Sequence, residues 1–256
     1  MTRTLPITIV QNEIRWHDIT LNLDSAHNLL HNVRPDGLIV LPETFATGFI
    51  VNDLPSDNSA QIIEWMQRLA GDHHSAVTGS VAVHENGKWY NRLHFFTPDG
   101  TVQTYDKRHL FPTSPEPELF QKGDTLPIFE YQGWRICPQI CYDLRFPVWC
   151  RNSVKNNQFK YDILLYVANW PAARADIWST LLKARAIENQ CYVLGCNCVG
   201  IDPQKREYQG DTQIIAPNGS VQAAAPASTP CLLHATLSHT RLNAWRTRFP
   251  VSEDWD

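Results

Sequence analysis

Two runs, Gly37 to Leu41 and Asp162 to Ala168, read as strands with apolar side chains on both faces. Each runs straight into a polar segment containing proline, Pro42-Glu43-Thr44 after the first and Asn169-Trp170-Pro171 after the second. A strand without alternation has no face to offer water, so it belongs in a parallel sheet covered by helices. The flanking segments agree. Ahead of the first run, Leu5 to Val10 is apolar, and Ile19, Leu23, Ala26, Leu30 and Val33 follow at helical spacing, which makes β-α-β. Beyond it, Ile62, Met66, Leu69 and Ala70 predict a helix over 59–71. After the second run, Ile177, Leu181, Ala184 and Ile187 share one face of a further helix, which repeats the strand-helix order. Sites in α/β proteins form beyond such strand ends, so the residues just past them are the first candidates for chemistry.

Between the two runs the punctuation changes. Val77 to His84, Asn86-Gly87, Trp89 to Thr97, Pro98-Asp99-Gly100 and Thr101 to Lys107 form a meander, with Asn-Gly supplying the tight turn. A hairpin turning at Gln132-Gly133 brings Trp134 to Ile140 up to Cys141. Cys191 to Cys198, Asp211 to Ala216 and Leu232 to Leu237 read as later strands, and a short helix ends the chain. No linker or low-complexity tract divides the 256 residues, so one domain is expected, with two as the weaker alternative. The pattern fits either two sheets with helices on their outer faces or one large doubly wound sheet.

Composition narrows the function classes. With 43% hydrophobic and 19% charged residues the chain folds rather than remaining disordered. A net charge of -4 without a basic stripe argues against nucleic acid and anionic membrane as partners and for a small molecule. The N-terminus lacks the apolar core of a signal peptide and no run of about 18 apolar residues occurs, so a soluble, cytoplasmic protein is expected. Seven cysteines, an odd number, point to reduced thiols rather than a disulfide framework.

Glu43, Lys107 and Cys141 each sit at or just past the end of an expected strand, where sheet geometry can gather them. Singly, each has a plain structural reading as a turn cap, a solvated strand end or a small core residue. Their contexts are Leu41-Pro42-Glu43-Thr44-Phe45, Tyr105-Asp106-Lys107-Arg108-His109 and Ile140-Cys141-Tyr142-Asp143-Leu144-Arg145-Phe146-Pro147. With Tyr90-Asn91, Arg145 to Trp149, Ala168 to Ala172 and Ala184 to Gln190, these resemble, in order and over nearly the whole chain, the nitrilase superfamily of carbon-nitrogen hydrolases. Within it the chain is most similar to the omega-amidase branch.

The resemblance implies a four-layer αββα sandwich and a catalytic set of Glu43, Lys107 and Cys141. A free thiol is mostly protonated at neutral pH, so Glu43 would take its proton as attack begins and later deliver it to the leaving nitrogen. Lys107 and the backbone N–H of Tyr142 would stabilise the oxyanion. A second glutamate is expected beside Lys107. Glu116 fits that place best and Glu118 competes, while either also reads as a solvated loop charge. Arg145, Phe146 and Trp170 are candidate pocket residues. Arg145 is the candidate partner for a substrate carboxylate, or else a brace on Asp143; Trp170 is wall or core.

No metal or other cofactor is expected. Cys191-x4-Cys196-x-Cys198 lacks paired zinc spacing and reads as a strand core, and Asp72-His73-His74 sits at a helix end. His109 offers a protease-like Cys-His pairing, which the family pattern treats as structural instead. The implied substrates are small dicarboxylate monoamides, 2-oxoglutaramate and 2-oxosuccinamate. The alternatives are a nitrile or N-carbamoyl hydrolase and a catalytically silent scaffold. The resemblance also implies a homodimer or larger homo-oligomer, with residues 240–256 either an oligomerisation tail or an arm folded over its own domain.

Overall fold

The structure, a computed structural model, describes residues 3–31, 33, 36–49 and 57–255. In the first half of the chain β1 (Thr4–Gln11), α1 (Ile19–Leu30), β2 (Leu38–Val40), α2 (Asp57–Asp72), β3 (Ala76–Glu85), β4 (Lys88–Phe96) and β5 (Val102–Asp106) follow one another. A one-turn helix, α3 (Glu116–Leu119), leads to β6 (Phe129–Tyr131) and β7 (Trp134–Ile140), and then a small hairpin, β8 (Val154–Lys155) and β9 (Gln158–Phe159). The second half holds β10 (Ile163–Ala168), α4 (Ala175–Asn189), β11 (Tyr192–Asn197), a hairpin of β12 (Val199–Ile201) and β13 (Glu207–Gln209), β14 (Gln213–Ile215), β15 (Val221–Ala224), β16 (Cys231–Ser238) and α5 (His239–Arg248).

These strands build two six-stranded sheets, ordered β16-β1-β2-β3-β4-β5 and β15-β14-β11-β10-β7-β6. The middle of each is parallel, β1-β2-β3 in one and β7-β10-β11 in the other, and antiparallel strands complete both sides. Of the two layouts the sequence pattern allows, two sheets is therefore the one formed.

The uninterrupted apolar runs are explained by what covers them. Leu38 and Val40 of β2, and Ile163, Leu165 and Val167 of β10, join one core between the two sheets. The opposite face of β2 gives Ile39 to a second core with Leu23, Ala26 and Leu30 of α1 and Ile62, Met66 and Leu69 of α2. The opposite face of β10 gives Leu164 and Tyr166 to Trp178, Leu182 and Ala186 of α4. The layers run helix, sheet, sheet, helix, the expected sandwich. Each such side chain taken fully out of water stabilises by roughly 1.5–3 kcal/mol.

Two expectations need correction. Val33 lies beyond the end of α1, whose N-terminus Asp18 caps by accepting from the Leu21 N–H. On α4, the face carrying Ile177, Leu181, Ala184 and Ile187 is not the one facing the sheet. Trp178, Leu182, Arg185, Ala186 and Asn189 are buried, whereas Ile177 and Ile187 are 39% and 54% exposed. The helix is apolar on two sides, and the side with the larger Trp178, against the close backbone of Gly195 in β11, is the one that packs.

The C-terminal segment lies on its own domain. Arg246 of α5 reaches the carboxylate of buried Asp162 at 2.9 Å and the carbonyls of Tyr161 and Gln190, and stacks on Phe159. Trp255 packs edge-on against Phe159 and under the guanidinium of Arg151. No helix among the described residues is long and apolar enough to cross a membrane. Replacing Arg246 with Ala removes one partner of a buried ion pair, and a loss of about 3 kcal/mol in urea unfolding is expected; a change below about 0.5 kcal/mol would mean the tail contributes no more than an ordinary surface residue.

Candidate active site

The ends of β2, β5, β7 and β10 meet at one edge of the two sheets. There the chain delivers Glu43, Lys107, Cys141 and Asn169 within a few residues of the last paired strand position. Lys107 is wholly buried, and its Nζ lies 2.8 Å from Glu43 Oε1 and 2.8 and 3.1 Å from the two oxygens of Glu116. Glu116, on α3, also accepts the Phe111 N–H at 2.6 Å, while Glu118 of the same turn is exposed. The carboxylate beside Lys107 is thus Glu116. Burial works against the ammonium, but the two carboxylates, Glu116 foremost, more than offset it and hold Lys107 above its ordinary pKa. Glu116 is pushed up by burial and by Glu43, against the pull of Lys107.

Two asparagines orient this cluster. Asn91 of β4 donates its side-chain amide to Glu43 Oε1 at 2.8 Å and to Glu116 Oε1 at 3.3 Å, and its carbonyl accepts the Lys107 N–H. Asn169 gives its backbone N–H to Glu43 Oε2 at 2.8 Å and its side-chain amide to the Glu43 carbonyl and Thr44 Oγ1, both at 2.9 Å. The sequence marks the stretches that hold both but assigns neither asparagine a role, since an uncharged amide announces nothing without its partners.

Cys141 opens a short 3₁₀ turn, Cys141–Arg145, with a left-handed φ of 44°, which costs a non-glycine residue about 1–3 kcal/mol. Asp143, two residues on, holds the turn in place. It accepts from Tyr105 Oη at 2.8 Å, the Ile140 N–H at 3.0 Å, and both the backbone N–H and Nδ1 of His109 at 2.9 and 2.7 Å. The turn that carries Cys141 is thereby bolted to the strand and loop that carry Lys107. His109 acts through Asp143 and not as a partner of the thiol.

The thiol itself is held protonated. Burial, then the negative charge of Glu43, push Cys141 well above the ordinary thiol range, against the pull of Lys107, and its Sγ donates to the Asn169 carbonyl at 3.9 Å. These surroundings do not store a thiolate, and Glu43 is the carboxylate placed where it could accept the thiol proton.

These groups face a pocket of about 450 Å³, its mouth included, walled by Phe49, Phe111, Tyr142, Arg145, Trp170, Arg174 and Tyr208 among others. Trp170 is wall and core at once, one side to the pocket and the other to Trp178. Arg145 does not brace Asp143, whose four acceptor positions are taken; its guanidinium lies over Trp170 at 5.1 Å. Phe146 is displaced from the pocket wall, its ring stacked on His109 at 3.7 Å behind Tyr142. The wall residues Phe49, Phe111, Arg174 and Tyr208 carry no sequence signal, coming from three loops and a hairpin distant in the chain. Cys191, Cys196 and Cys198 sit in three separate apolar clusters, Cys196 within β11 and the other two just before and just after it.

Against known proteins, residues 6–247 match the carbon-nitrogen hydrolase family. The chain is 44% identical to omega-amidase YafV of Yersinia enterocolitica over 99% of its length and 97% of that relative. It is 37% identical to a 2-oxoglutaramate amidase of Bacillus subtilis over 73% of this chain and 72% of that one. A crystal structure of XC1258 from Xanthomonas campestris, a CN-hydrolase superfamily protein with an arsenic adduct in its active site, superposes with a TM-score of 0.92 at 39% identity, covering 99% and 98% of the two chains.

Replacing Glu43 with Gln should retain the fold and lower amide hydrolysis about 10²–10⁴-fold, the contribution of a positioned acid-base group. Because the Glu43 charge opposes the thiolate, alkylation of Cys141 by iodoacetamide should shift to lower pH in the same variant, read by peptide mapping across pH. Turnover near that of the unaltered enzyme would remove Glu43 as the base.

Proposed function

The chain belongs to the carbon-nitrogen hydrolase family, and from that premise we propose that it is an omega-amidase, cleaving the terminal carboxamide of 2-oxoglutaramate and 2-oxosuccinamate to the acid and ammonia. One juxtaposition carries the reading. A thiol beside a carboxylate base and a buried ammonium opens into a small pocket whose wall carries Arg145, with no carboxylate of its own within ion-pair reach among the described residues. The first three groups suit attack on an amide, and the fourth suits a substrate that is itself an anion.

The steps follow from the placement of the groups. Glu43 takes the Cys141 proton, and Sγ bonds to the amide carbon. The oxygen gains charge opposite Lys107 and the Tyr142 N–H, which as one of the first N–H groups of its turn has no partner inside it. Glu43 returns the proton to nitrogen, the carbon–nitrogen bond breaks, and ammonia leaves a thioester on Cys141. Water, deprotonated by Glu43, attacks the thioester; the carbon–sulfur bond breaks and the thiol regains the proton. Glu116 keeps Lys107 charged throughout. The losses to expect without one oxyanion donor are about 2.7–4 kcal/mol.

Ammonia release should be fastest from 2-oxoglutaramate and succinamate, against glutamine, a simple nitrile and an N-carbamoyl amino acid, and absent in Cys141→Ala. Turnover confined to the nitrile or carbamoyl compound moves the substrate class while keeping the nucleophile; no turnover at all favours a silent scaffold. The homodimer belongs to the same proposal, with the outward apolar residues of α4, Ile177 and Ile187, as its contact. Sedimentation should give twice the 29.3 kDa chain mass, reduced to one by Ile187→Glu; a monomeric unaltered protein would refute it.

A further inference from the structure

Arg174 stands just ahead of α4, at the end of the turn that follows Trp170, and lines the same pocket as Cys141. Its guanidinium lies over the ring of Phe111 at 5.3 Å, and its carbonyl accepts the Trp170 indole N–H at 2.8 Å. The Arg145 guanidinium rests on that same tryptophan at 5.1 Å, so each of the two guanidiniums is set against an aromatic ring of the pocket wall, Phe111 for Arg174 and Trp170 for Arg145. The other charges at the pocket are spent: Lys107 on Glu43 and Glu116, and Arg206 on Asp202 at 2.6 Å. Neither Arg145 nor Arg174 has a carboxylate within ion-pair reach among the described residues, although every acid in the pocket has a cation. Two guanidiniums, never neutral in water, thus leave one pocket wall with positive charge that an anionic ligand would offset.

We infer that Arg174 is a specificity-determining residue which, with Arg145, clamps the oxo-acid end of the substrate, its carboxylate and the adjacent 2-oxo oxygen, and by the same charge turns away amides that carry an α-ammonium group. The inference rests on the omega-amidase reading and sharpens it: the class accepted is anionic amides with no amino group, and glutamine and asparagine are rejected although their amides are chemically equivalent. Planar guanidinium forks suit paired oxygens, and both line the pocket into which the carboxylate and its neighbouring oxygen would enter. Stacking on Phe111 and Trp170 holds the forks in place before binding, so less side-chain freedom is lost on association.

The test compares Arg174→Gln and Arg174→Lys with the unaltered enzyme. The ratio of kcat/KM for 2-oxoglutaramate over that for neutral butyramide should fall about ten- to a hundredfold in Arg174→Gln, through KM, as expected when a charged hydrogen bond is lost. Arg174→Lys should recover part of it, and the preference over glutamine should narrow in both. An equal loss on charged and neutral amides, or an unchanged ratio, overturns the assignment. Binding of 2-oxoglutarate by calorimetry separates this from the parent reading. If the unaltered protein cleaves no anionic amide, the omega-amidase reading fails. Arg174 is then judged by binding alone, at least tenfold weaker in Arg174→Gln if the inference holds and unchanged if it does not.

Discussion

A lysine ammonium with no access to water, held between two carboxylates, is the constraint that organises this protein. An uncompensated charge at that depth is far too costly to keep, so Lys107 requires Glu43 and Glu116 at contact distance. Those three residues come from the end of β2, the end of β5 and a one-turn helix in the following loop, and they meet only if both strands stop at the same edge of the sheet. Asn91 then fills the space between the two carboxylates with a donor to each. The second sheet contributes Asn169, whose backbone N–H completes the shell of Glu43 from 126 residues away in sequence. The ion cluster is therefore also the seam along which the two sheets are registered.

Cys141, the proposed nucleophile, is set on that seam by a different device. Cys141 occupies a strained left-handed conformation, and the strain persists because the surrounding bonds leave the turn no alternative: Asp143 receives four donors, one from the residue before Cys141 and three from the strand and loop around Lys107. Thr44, next to Glu43, is left-handed as well and is fixed by Ser80 and Asn169. Glu43 and Cys141, the proposed base and nucleophile, thus stand on two stiff corners. Stiffness matters here because the thiol is raised, not lowered, by its surroundings. A site that does not store a thiolate depends on having the base already in place when substrate arrives, and it leaves the sulfur less open to adventitious oxidation between turnovers.

Much of this was legible in the sequence, for reasons that are local. Leu38 to Val40 and Ile163 to Ala168 announce covered strands because both their faces are buried. The residues past them stand out because a Glu, a Lys and a Cys at strand ends are chemically loaded. Legibility stopped where a role depends on partners. Adjacency left Arg145 open between a substrate carboxylate and a brace on Asp143, and the brace fails because Asp143 is saturated by Tyr105, His109 and Ile140. Phe146 looked like a wall residue and is instead stacked behind it, and α4 presented two apolar sides of which the wrong one seemed buried. Asn91 and Asn169 stood in stretches that carried the resemblance without a role of their own, and Arg174 had no signal, since their meaning lies in atoms contributed by other strands.

The central claim is that the protein cleaves amides through a thioester on Cys141, formed as Glu43 takes up the thiol proton. Acid quenching of a single turnover of 2-oxoglutaramate, followed by peptide mass spectrometry, reads it directly. The account predicts an acyl group on the peptide containing Cys141, appearing with the release of ammonia and decaying with the release of acid. Consumption of the amide with that peptide unmodified at every time point would contradict it.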